Sequence, residues 1–205
     1  MSNTNRRVFR LPHVLLAGYV VLFVVLAFRP VARDVWWTEN LTIMTVPVIL
    51  TALYLAGIRF SNLAYVLMSC LVYLHTIGGH YTFEKVPFGF VTDFFGFERN
   101  HYDRVAHFTV GFYAFAIVEL LLGRGWVTKP TIAYLFGVFA IAALAAVYEI
   151  FEWQYAIRSD PMAGIAVLGS QGDIWDAQKD MLADTLGAVT GVLLYVIRNV
   201  TTRRQ

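Results

Sequence analysis

The stretch Thr131-Ile-Ala-Tyr-Leu-Phe-Gly-Val-Phe-Ala-Ile-Ala-Ala-Leu-Ala-Ala-Val-Tyr-Glu149-Ile-Phe-Glu152 decides the fold. It runs uncharged to Tyr148 and then meets two glutamates three residues apart. A bilayer core takes about 20 apolar residues in one helix. The segment therefore reads as a membrane span whose acids arrive at its end. Glu149 lies about a turn inside that span, where a carboxylate needs a partner, a water-filled cavity or a metal.

Outward from this run the chain repeats the pattern. Candidate spans fall at roughly 11–29, 39–58, 61–77, 104–123, 131–153 and 178–198. Of the 205 residues, 58% are hydrophobic and 15% charged, and the mean hydropathy is +0.59. Such a chain is too apolar for an ordinary soluble domain. The expected fold is all-α, a polytopic membrane helix bundle of about six transmembrane helices in a single integral membrane domain. The net charge of +2 comes without a basic stripe, which argues against nucleic acid as a partner. Cys70 is the only cysteine, so neither an internal disulfide nor a cysteine-based zinc site is available. The run Leu11–Phe28 after Arg6, Arg7 and Arg10 has the outline of a signal peptide. Its length, and Arg29-Pro30 directly after it, favour a retained span.

Orientation follows arginine and lysine in short loops. With the N-terminus inside, the inner segments hold nine such residues and the outer segments seven. Both termini are expected in the cytoplasm, with the acidic span ends facing outward. Residues 78–103 are rich in phenylalanine and read as an interfacial segment. Residues 154–177, with Pro161, Gly164 and Gly169, read as a lid or re-entrant connection.

Metal-competent side chains gather at the outer ends of spans three to six. Asp103 and His107 are four apart, on one helix face; a capping aspartate with a hydrogen-bonded histidine is the plainer alternative. Asp173, Asp176, Asp180 and Asp184 step by three, four and four, an acidic stripe that repels itself unless a cation offsets it. Lys179, Arg104 or a bound metal can do so, and a metal best accounts for the depth of Asp180 and Asp184. His75 and His80 bracket Gly78-Gly79, which should break span three and bring backbone close to a ligand. Gly187-Ala-Val-Thr-Gly191 is a small-residue motif for close helix packing.

From Asp103-Arg-Val-Ala-His107-Phe through a glutamate-bearing span to Asp180-Met-Leu-Ala-Asp184-Thr-Leu-Gly187, the chain resembles the VanZ-like membrane proteins. Their pattern has lysine at position 104 and asparagine at 184; the aspartate here adds a negative charge. His75-Thr-Ile-Gly-Gly-His80-Tyr-Thr-Phe-Glu84-Lys-Val-Pro-Phe-Gly and Gly169-Ser-Gln-Gly-Asp173-Ile-Trp-Asp176-Ala-Gln-Lys-Asp180-Met resemble more closely the YjdF-type bacterial inner-membrane proteins. That resemblance implies a multi-pass protein of the bacterial inner membrane. The VanZ-like association with glycopeptide resistance implies envelope lipids or cell-wall precursors as partners.

The residues themselves suggest a metal-dependent hydrolase acting on a lipid or lipid-linked substrate. Zinc is the favoured cofactor, since it takes nitrogen and oxygen ligands and leaves a position for water; calcium or magnesium follows if carboxylates dominate. The expected ligands are His75, His80, His107, Asp180, Asp184 and Asp176. Glu149 is the expected general base, and Asp103 and Glu152 complete the catalytic carboxylates. A transporter or flippase using the acids for proton or cation coupling is the alternative, and a structural staple is a third reading.

Overall fold

The computed structural model describes residues 10–158 and 170–202. The helices are α1 (Leu11–Leu26), α2 (Arg33–Leu55), α3 (Asn62–Tyr81), α4 (Gly89–Phe95), α5 (Tyr102–Val110), α6 (Tyr113–Gly123), α7 (Pro130–Ala156) and α8 (Asp176–Thr202), with a 3₁₀ turn at Ser170–Gly172. No strand occurs among the described residues. Helices α5 and α6 form one interrupted span, Tyr102–Gly123. With α2, α3, α7 and α8 it makes five spans long and apolar enough to cross a bilayer; α1 is a shorter apolar helix. Residues 159–169 of the expected lid lie outside the described residues, as do Arg6, Arg7, Arg203 and Arg204 of the orientation count.

Two expected boundaries move. Helix α2 starts at Arg33, well before residue 39. Arg33 Nη1 donates to the Ala27 carbonyl at 2.8 Å, and Asp34 sits in the first turn, where the helix dipole favours an anion. These early turns are polar by composition yet bury Trp36 completely, against Phe23 and His80. Helix α3 runs straight through Gly78-Gly79 to Tyr81, so the glycines do not break it. Their missing Cβ atoms make room instead: the Phe83 ring occupies the place at Gly78, and Asn40 and Glu39 press on Gly79.

Helix α3 organises one half of the bundle, packing against α1 and α2 on one side and α5 and α6 on the other. Its start is capped by Ser61, whose side chain accepts from the Ala64 N–H. Tyrosine hydroxyls tie the helices: Tyr102 donates to Leu74 O and Tyr113 to Met68 O, each at 2.9 Å. Helix α8 packs against α5, α6 and α7 to make the other half. Phe115, Val118 and Ile141 are among its fully enclosed side chains, with Met68 of α3 enclosed against them.

The contact that matters most for the site is the crossing of α5 with α8. Gly111 rests directly on the backbone of Gly187 and Ala188, and Gly187 on the carbonyl of Phe108. Any side chain at either glycine would collide with main chain rather than with a movable group. Small residues permit this approach. It fixes the faces one turn further along, where His107 and Asp184 stand.

Candidate metal centre

Asp103 and His107 project from the first two turns of α5. Asp176, Asp180 and Asp184 line the first turns of α8, all buried. Because α5 and α8 cross backbone to backbone, the two rows interdigitate. His107 Nδ1 lies 3.3 Å from Asp184 Oδ1. Its Nε2 lies 3.6 Å from Asp180 Oδ1 and 3.8 Å from Asp103 Oδ1. Asp103, His107 and Asp180 each offer one ligand atom, and these atoms all fall within 4.8 Å of one another.

The spacing can be compared with what a metal requires. Zinc binds nitrogen and oxygen at about 2.0–2.2 Å, so tetrahedral ligands sit about 3.4 Å apart. The two distances from His107 Nε2 are near that value. Asp184 on the opposite ring nitrogen has the position of the carboxylate that orients a metal-binding imidazole and raises its basicity. The donor set therefore fits a small divalent cation, with His107, Asp103 and Asp180 around it and Asp184 behind the ring.

Two arginines divide the acidic stripe. Arg99 bonds Asp173 at 2.8 Å and Asp176 at 3.2 Å. Arg104 pairs with both Asp176 and Asp180. Lys179 adds a contact to Asp173 at 2.7 Å. The outer aspartates, Asp173 and Asp176, thus belong to an ion-pair clamp. Asp173 lies outside the spans, and the Lys179 hydrogen bond, reinforced by the Trp175 N–H and Arg99, holds its carboxyl down to about 2. Gln171 ties the same corner to the Asn100 main chain through two 2.9 Å hydrogen bonds. Arg104 holds the same Asp180 oxygen that faces His107, and it also holds Asp176.

Glu149 and Glu152 approach from the C-terminal end of α7, both half-buried. The charges of Asp180, His107, Asp184 and Asp103 act on Glu149. Those of Glu149, His107, Glu39 and Asp103 act on Glu152. Tyr148 stands one turn before Glu152 on the same helix. Neither glutamate belongs to the converging trio, so they stand beside the ligand group rather than in it.

Three expected ligands fall elsewhere. His75 faces Glu39 of α2, Nε2 to carboxylate 3.3 Å. His80 places Nδ1 2.6 Å from the Leu26 carbonyl and its ring edge-on to Trp36, stitching α3 to α1 and α2. Asp176 is taken by the arginine clamp. Each has a nearer partner than the α5–α8 group.

Sequence reasoning passed over Glu39, Arg99 and Tyr148. Glu39-Asn40 at the head of an apolar run was the available signal for the first. Arg99 gave none, because its acids lie more than 70 residues away in the chain.

A family model of predicted membrane proteins, DUF2238, matches residues 11–200. The "Inner membrane protein YjdF" of Escherichia coli (strain K12) is 39% identical over 133 residues, which covers 62% of this chain and 63% of that protein. The matched region thus spans somewhat less than two thirds of that relative's length. No solved structure matches. Apolar helices, family and relative agree on a multi-pass protein of the bacterial inner membrane.

Proposed function

Since the chain belongs to the DUF2238 family of predicted membrane proteins, we propose that it is a metal-dependent hydrolase of a lipid or lipid-linked envelope substrate. It works as a single integral membrane domain with both termini in the cytoplasm and the site facing outward. The observation that carries this reading is the setting of His107: one ring nitrogen toward Asp184, the other toward Asp103 and Asp180. A structural histidine needs one such partner. Two acids on Nε2 and a third on Nδ1 leave more negative charge than the imidazole and a share of Arg104 can offset, and lipid surroundings make that excess costly.

A divalent ion, zinc in preference, would supply Lewis acidity and a water ionised near neutral pH. The chain's own residues do the rest. Asp184 would fix the His107 tautomer, and Glu149 would take a proton from a water held at the site, with Glu152 one turn away on α7. Calcium or magnesium becomes the better occupant if Glu149 joins the carboxylates.

Glu39, Glu149 and Asp103 also lie close enough for their charges to act on Glu152, which favours, as a second reading, a transporter or flippase relaying protons or a cation. One set of measurements separates the two. Protein purified without chelator is assayed for bound metal and for cleavage of a panel of lipid phosphates, with Glu149→Gln alongside. The hydrolase predicts near one metal per chain and cleavage lost in Glu149→Gln with the metal retained. Substoichiometric metal, or gradient-driven movement without cleavage in proteoliposomes, would overturn it.

A further inference from the structure

At the end of the bundle opposite the acidic site, two cavities lie side by side. One, of about 190 Å³, is an apolar groove between α1, α2 and α3, lined by residues such as Leu15, Leu16, Leu50 and Val72. The other, of about 410 Å³, contains Arg10 and Arg59 and has no acidic residue in its wall. Pro12, Tyr54 and Tyr65 line both, so the spaces adjoin. Tyr54 is the partition: His13 meets its ring edge at 5.2 Å, and the Arg59 guanidinium lies 3.5 Å over its face. Neither Arg10 nor Arg59 pairs with a carboxylate among the described residues. The acid at this end, Glu119, is taken by Arg198 and the Ser61 N–H.

An apolar slot opening into a doubly cationic mouth has one matching ligand chemistry in a bilayer. We infer that this groove binds an anionic glycerophospholipid, with one acyl chain between α1, α2 and α3 and the phosphate between Arg10 and Arg59. Arginine matches phosphate oxygens through its planar fork, and basic pockets between membrane helices hold anionic headgroups. The Tyr54 ring keeps the Arg59 guanidinium in place without neutralising it. This site lies between α1, α2 and α3, whereas His107 lies between α5 and α8, and it does not depend on the metal reading; the hydrolase could fail and the lipid site stand, or the reverse.

The test uses full-length protein in neutral detergent and measures binding of dioleoylphosphatidylglycerol and dioleoylphosphatidylcholine by native mass spectrometry, with glycerol 1-phosphate as a headgroup lacking chains. The wild type should bind phosphatidylglycerol at least tenfold more tightly than phosphatidylcholine and should not retain glycerol 1-phosphate. Arg10→Ala/Arg59→Ala should reduce phosphatidylglycerol to the phosphatidylcholine level. Ser69→Phe fills the groove; the Ser69 hydroxyl bonds only its own helix at Val66 O, so the fold should survive, as a melt in detergent checks. It should weaken both lipids. Equal binding of the two lipids, or a double variant that keeps the preference, would overturn the inference. So would glycerol 1-phosphate binding as well as the intact lipid.

Discussion

Helix α8 carries charge at both ends, and the two ends are wired differently. Near its C-terminus Arg198 donates to Glu119 at 2.7 Å and to the Ser61 hydroxyl at 2.9 Å, while Glu119 accepts the Ser61 N–H. One acid, one base and one helix cap close on each other and staple α8 to α6 and the start of α3. Near its N-terminus Asp180 and Asp184 meet Asp103, with Glu149 and Glu152 alongside, against His107 and a share of Arg104. Both ends bring charge to a bundle of membrane helices, but only one balances. The difference teaches how to tell a staple from a site: a staple has matched charge, whereas a site keeps an unmatched one.

The comparison breaks most sharply at the residue behind the imidazole. Asp184→Ala should lower divalent-metal affinity by about 10–100-fold, the usual cost of losing the partner of a ligating histidine. Asp184→Asn, which keeps an acceptor for the ring N–H, should recover part of that loss. Metal titration of both variants checks it; equal affinities in all three proteins would make Asp184 an ordinary buried acid.

Next in size is the crossing that brings the two rows together. Gly187→Leu pushes a side chain into the Phe108 carbonyl and should cost about 1–3 kcal/mol of stability. Because the same crossing positions His107 against Asp184, metal affinity should fall with it. A denaturant melt and a titration on one preparation report both. Arg198→Met acts at the matched end and should cost about 1–3 kcal/mol by leaving Glu119 with only the Ser61 N–H and no cation, with metal affinity unchanged. A drop in affinity there would mean that the two ends are coupled, and the contrast would dissolve.

The smallest effect is in the outer clamp. The Asp173 carboxyl is held at about 2, chiefly by Lys179, whereas an unfolded aspartate titrates near 3.9. The depressed value stabilises the fold fully above roughly pH 4. As pH falls from about 4 through about 2, the unfolded chain takes up the proton first and that stabilisation is lost. Asp173→Asn should flatten the melting temperature over this window and leave it parallel to wild type above.

Much of this architecture was legible in the chain. Uncharged runs such as 131–148 specify membrane helices because lipid leaves few other options, and the four-residue steps put Asp176, Asp180 and Asp184 on one face of α8, while Asp173 lies before that helix begins. Gly187 announced a close contact, though not with which helix. What escaped had its cause in other elements. The start of α2 was missed because Trp36 and Glu39 earn their places by tertiary contacts with α1 and α3, not by local hydropathy. Gly78-Gly79 looked like a break, and only the Phe83 ring folding back explains why the helix passes through. His75 and His80 sit in the right third of the sequence, yet Glu39 and the Leu26 carbonyl reach them first. Arg99 and Arg104 sort the stripe into clamp and site, and spacing within α8 alone could not tell which aspartates they would take.

The most direct test of the central claim is a calorimetric zinc titration of three proteins: wild type, His107→Ala and His75→Ala. One site per chain in wild type, weakened more than about 100-fold in His107→Ala and untouched in His75→Ala, is the predicted result. Absence of a site in wild type, or equal losses in the two histidine variants, would contradict a metal held between α5 and α8.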